Sequence, residues 1–139
     1  MSKWMYCITL LFLVFYVNCK KSTEPQPDVP GKYLIYVKNY SDKMWIGMNR
    51  EDDFQSLKKD YQTGSKLWIG GAVVKKPELK YGFYFDPETI TWGEITVEGM
   101  QTTIQQIKSN VDYYVNNGFP NQYAEHAWYI ACEILKYQD

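Results

Sequence analysis

The sequence predicts an α+β fold, an antiparallel sheet of four or five strands with two helices packed on one face. Three observations carry that expectation. Lys32 to Lys38 (KYLIYVK) alternates with period two. Leu67 to Val97 is rich in β-branched and aromatic residues interrupted by glycine and proline. The stretches 51–61 and 99–117 repeat apolar residues at helical spacing. The 139 residues are 45% apolar, 22% charged and 17% aromatic, a composition that buries one core and excludes a disordered or collagen-like chain.

The elements follow in order. In Lys32 to Lys38, Tyr33, Ile35 and Val37 share one side of a first strand. Glu51 to Tyr61 (EDDFQSLKKDY) places Phe54, Leu57 and Tyr61 on one helical face, with acids in the first turn, Lys58 and Lys59 later, and Gly64 beyond the end. Glu51, Asp52 and Asp53 lack the alternation and glycine of a calcium loop, so their place at a positive helix end accounts for them. Leu67 to Lys75 (LWIGGAVVK) reads as a strand bent or bulged at Gly70 and Gly71. Gly82 to Phe85 is a short aromatic strand closed by an Asp86-Pro87-Glu88 turn, and Thr89 to Val97 a further strand. In Gly99 to Asn117, Met100, Ile104, Ile107, Val111 and Tyr114 form a continuous apolar stripe, stopped by Gly118 and Pro120. Ala127 to Tyr137 alternates Trp128, Ile130, Cys132 and Ile134 and reads as a last strand, although a helical reading also fits.

The N-terminus reads as an address. An apolar run from Ile8 to Val17 is about ten residues long, half of what a membrane-crossing helix needs and the length of a signal peptide's apolar region. Cys19 follows directly, then the polar, proline-containing stretch KKSTEPQPDVP. This arrangement resembles the lipobox of bacterial lipoproteins, with Tyr16 and Asn18 where that family prefers leucine and a small residue. The resemblance implies cleavage before Cys19, acylation of Cys19 and attachment to a membrane. It divides the chain into a signal peptide at 1–18, a lipid-anchored tether at 19–31 and a single α+β domain at 32–139. Lys20 and Lys21 follow the cysteine with no aspartate at the sorting position, which in a two-membrane bacterium implies the outer membrane; the alternative is a secreted protein. An acylated Cys19 leaves Cys132 without a disulfide partner in the mature chain.

A second resemblance rests on YGFYFDPETITWGEITVEGMQTTIQQI, the later Gly118-Phe119-Pro120 and Trp128 to Leu135. This pattern resembles the N-terminal domain of the cAMP-inducible prespore protein family, over about residues 33–136. The matching positions include Leu57, Gly64, Gly70, Val73, Phe83, Asp86, Pro87, Ile90, Glu98, Thr103, Ile104 and Trp128. The chain has Met100 and Ala127 where that family often carries cysteines, and Tyr84 where a histidine often stands, so neither a family disulfide nor a histidine-dependent role is implied here.

With 15 Lys and Arg against 16 Asp and Glu the net charge is -1, and nucleic acid is not an expected partner. One histidine, His126, and three cysteines exclude most zinc sites, and no cofactor or metal is expected. Glu94 and Glu98 are about 13 Å apart on an extended strand, too far for the paired carboxylates of a glycosidase. No nucleophile elbow, phosphate loop or zinc-protease motif is present. Asn39-Tyr40-Ser41 fits a glycosylation acceptor, which a lipidated bacterial protein does not ordinarily use. Most of Trp45, Trp68, Trp92 and Trp128 are expected in the core, with an aromatic patch of Tyr81, Tyr84, Trp92 and Glu94 as the candidate binding surface. The leading expectation is a membrane-tethered, non-enzymatic binding module of the cell envelope, meeting an envelope protein or a saccharide. The alternatives are an envelope or secreted hydrolase using Cys132, with His126, or acidic residues, and a purely structural envelope protein.

Overall fold

The computed structural model describes residues 27–95 and 101–139. It is a mixed α+β fold, in the order β1 (Tyr33–Asn39), β2 (Asp42–Met48), α1 (Glu51–Asp60), β3 (Lys66–Gly71), β4 (Val73–Lys75) and β5 (Phe83–Phe85). β6 (Thr91–Gly93), β7 (Gln101–Thr102), α2 (Ile104–Ser109), α3 (Val111–Asn116) and β8 (Trp128–Gln138) complete it. Six strands form the main sheet in the order β2-β1-β8-β3-β6, with β7 beside β8, and β4-β5 form a separate two-stranded sheet. All the pairings are antiparallel except that of β7 with β8.

Alternation decides which face of the main sheet packs. Tyr33, Ile35 and Val37 of β1, Met44, Ile46 and Met48 of β2, Leu67 and Ile69 of β3, and Ile130, Cys132 and Ile134 of β8 are buried on the inner face. Phe54 and Leu57 of α1, Ile104 and Ile107 of α2, and Phe83 and Phe85 of β5 join them in one core. Phe54 stacks on Tyr33 with centroids 4.7 Å apart. The four tryptophans of the described residues sit at the margins of this core, none of them fully buried, and aliphatic side chains and phenylalanines fill its centre. The expectation that most tryptophans fill the core is corrected accordingly: Trp45 and Trp68 lie on the outer face, Trp92 on the edge strand β6 and Trp128 at the start of β8, and part of each residue stays accessible.

Other local expectations change as well. The run from Leu67 to Lys75 is two strands. Ala72 leaves the main sheet, donates its N–H to Thr89 Oγ1 (2.9 Å) and accepts from the Asp86 N–H (2.8 Å), so the Asp86–Thr89 turn captures the corner. The expected single helix over 99–117 is a strand and two short helices. Thr103 caps α2 with a reciprocal capping box to Gln106, and the chain breaks at Asn110 (φ -155, ψ 62) before α3. The break turns Val111, Tyr114 and Val115 toward the core margin beside β4, while Ile104 and Ile107 fill the main core. β2 has no counterpart among the expected strands. Its inner residues Met44, Ile46 and Met48 alternate with outward Trp45 and Gly47, so the alternation lacks the polar partner that marks a strand in the sequence.

Asn39, 2% exposed, is committed on both amide atoms. It donates to the Ala131 carbonyl (2.7 Å) and accepts from the Ile104 N–H (3.1 Å), which leaves no free amide for a glycan. Pro27 to Gly31 belongs to the expected tether, yet it lies against the sheet. A Cβ at Gly47 would stand 1.8 Å from the Pro30 carbonyl oxygen, so glycine there is what allows the segment to approach β2.

Candidate functional site

A hollow of about 340 Å³ wraps the free edge of β2. Strand β2 supplies Lys43, Met44 and Trp45, β1 supplies Tyr36, the loop between β4 and β5 supplies Glu78 to Tyr81, and Pro27 to Val29 close one side. Cross-strand register puts Tyr36 opposite Trp45, and their rings lie 4.8 Å apart. Lys136 of β8, also opposite Tyr36, lies over both rings at 5.2 Å and 5.3 Å. Tyr81 is 5% exposed, and its hydroxyl accepts the edge-strand N–H of Lys43 (3.2 Å). Lys76 Nζ donates to the Asp28 carbonyl (3.2 Å), which fixes the incoming chain beside the groove. An aromatic wall with charged groups at its rim, in a volume within the ordinary range of small-ligand sites, is suited to holding a flat, partly apolar, hydroxylated ligand.

The structure does not bring the candidate surface together. Tyr81 lies beneath the groove at the β2 edge, whereas Trp92 lies on β6, the opposite edge of the same sheet. Tyr84 is half-buried on β5 in the smaller sheet, and Glu94 is exposed just after β6. Trp92 instead lines a hollow of about 150 Å³ with Asp53, Ile90, Thr91, Gln122 and Tyr123. Cys19 and Glu98 lie outside the described residues. Trp45 and Tyr36, which do converge, have no distinguishing motif, because their meeting is a consequence of the β1-β2 register.

Cys132 is buried on the inner face of β8, and burial pushes its thiol up to about 12. His126 lies in the bend before β8 and makes no hydrogen bond to Cys132 among the described residues, so the two do not form a nucleophile-base pair. The His126 Nδ1 is buried without a hydrogen-bond partner among the described residues. Among those residues, too, no group of three or more His, Cys, Asp or Glu could hold a metal ion, and no helix is long and apolar enough to cross a membrane.

No protein-family model, no curated protein and no solved structure matches this chain.

Proposed function

We propose that the chain is a membrane-tethered, non-enzymatic binding module of the cell envelope, and that the groove at the β2 edge is its ligand site. The observation that carries the reading is the Tyr36–Trp45 pair, two accessible rings held by register at the mouth of a groove with a polar rim. Rings in that setting recognise the apolar faces of sugar rings, while Lys43, Glu78 and Lys80 supply hydrogen bonds to hydroxyl or acidic substituents. The tether rests on the apolar run and Cys19 of the sequence.

The test is calorimetric titration of the full chain, in detergent, with defined fragments of envelope glycans. Binding is expected to weaken by at least about tenfold in Trp45→Ala, a loss of about 1.4 kcal/mol. A ligand that binds Trp45→Ala as tightly as the natural chain would place the site elsewhere.

A further inference from the structure

The outer face of the main sheet carries a row of charged residues that meets the groove only at Lys43. Register aligns Lys43 of β2 with Lys38 of β1, Lys38 with Glu133 of β8, and Glu133 with Lys66 of β3. Lys38, Lys43 and Lys66 are exposed. Among the described residues Lys38, Lys43 and Lys66 have no ion pair within 4.0 Å, unlike Lys58 and Lys75, which pair with Asp139 and Asp112. Three lysines against one glutamate give the row a positive balance in a chain whose net charge is -1.

Two accessible apolar side chains flank the row. Tyr40 is 79% exposed in the turn between β1 and β2, and Ile95 is 41% exposed beyond β6. Lys38, Tyr40, Lys66 and Ile95 line one shallow hollow of about 280 Å³. Tyr40 also has φ 55, a conformation that costs a non-glycine residue energy and holds this ring outward at the hairpin tip. Pro27, the first described residue, lies in the groove with Lys43, the β2 member of the row.

We propose that this rim docks on anionic lipid headgroups of the membrane to which the chain is tethered. Tyr40 and Ile95 enter the headgroup layer, and Lys38, Lys43 and Lys66 meet lipid phosphates. Charge complementarity selects an anionic surface. A projecting tip with an aromatic and an aliphatic side chain fits a planar interface, where such rings are favoured, better than it fits a sugar, which requires a concave aromatic floor. The proposal rests on the tether reading and specifies which way the domain faces.

The test reconstitutes the full chain in phosphatidylcholine vesicles with or without about one third phosphatidylglycerol, followed by brief amine acetylation and mass spectrometry of each lysine. Lys38, Lys43 and Lys66 should label at least about threefold more slowly on the anionic vesicles, and about 0.5 M salt should abolish the difference. Lys59 and Lys108, on the helices of the packed side, should label equally on both. Lys38→Glu with Lys66→Glu, both at exposed positions, should remove the residual protection of Lys43. Equal labelling of the three lysines on both vesicles overturns the proposal, as does equal protection of Lys59 and Lys108. Protection by a soluble anionic polysaccharide without vesicles also overturns it, in favour of a glycan on this face. Flotation with pure phosphatidylcholine vesicles reports the tether alone: a chain that fails to float loses the tether, whereas one that floats without lysine protection loses only the docking face.

Discussion

The Arg50 guanidinium, the only one in the chain, serves as a structural clamp. It pairs with Asp53 in the first turn of α1, donates to the Glu88 carbonyl (2.6 Å) and the Ile90 carbonyl (2.9 Å), and lies 3.7 Å from the centroid of the Tyr123 ring. One planar fork thus joins the start of α1, the turn after β5 and the loop before β8, a geometry that lysine cannot reproduce. Arg50→Lys should cost about 2 kcal/mol in urea denaturation, the range for hydrogen bonds to a charged group. A loss below about 0.5 kcal/mol would mean that the carbonyls find other donors. Cys132 offers a second residue-scale test. Its thiol rises to about 12 in the fold from an ordinary value of 9.0, so folding favours the neutral form. That stabilisation is fully present below about pH 9 and is lost as pH rises toward 12. Cys132→Ala should therefore flatten the fall of the urea midpoint between pH 9 and 11.5, relative to the natural chain. Parallel pH profiles for the two would show that the thiol is not desolvated.

At the scale of elements, the clearest stored strain is in the β1-β2 hairpin. Asn39 pairs with Asp42, leaving Tyr40 and Ser41 as the turn, and Tyr40 sits in the region that favours glycine or asparagine. With Tyr40 79% exposed, its replacement removes little packing. Tyr40→Asn should raise stability by about 0.5–1 kcal/mol, read from the urea midpoint, and a decrease would show that the ring is held by contacts within the fold. Legibility in the sequence also divides by element. α1 was readable because Phe54 and Leu57 recur at helical spacing among polar residues, and β1 because Tyr33, Ile35 and Val37 recur at period two in a run bounded by Lys32 and Lys38. β8 was readable as a strand because Ile130, Cys132 and Ile134 face inward in alternation. β2 was not, since its outward positions Trp45 and Gly47 carry no polar side chain, and the unbroken apolar spacing from Ile104 to Tyr114 gives no sign of the break at Asn110. The Tyr36–Trp45 wall was equally hidden. A contact between strands depends on a register that neither strand encodes by itself.

At the scale of the whole molecule, the last strand in sequence lies at the centre of the sheet. β8 pairs with β1 on one side and β3 on the other, and receives β7 as a parallel neighbour. Apart from the β1-β2 hairpin and the short β3-β6 pairing, the main sheet is held together through β8, and Ile130, Cys132 and Ile134 complete the core that α1 and α2 cover. Without β8, β1 and β3 would face each other across an open gap, and an isolated two-stranded hairpin is marginal in water. Closure therefore depends on contacts far apart in sequence, which form late and cooperatively. A chain ending at Ala127 should show no cooperative urea transition and no fixed aromatic circular dichroism, whereas the full chain should show both. The truncated chain, mixed with a peptide of residues 128–139, should recover the aromatic signal in proportion to peptide bound. A truncated chain that melts cooperatively by itself would mean that α1 and the β1-β2 hairpin form a self-sufficient unit, and that β8 is an addition to the core instead of its keystone.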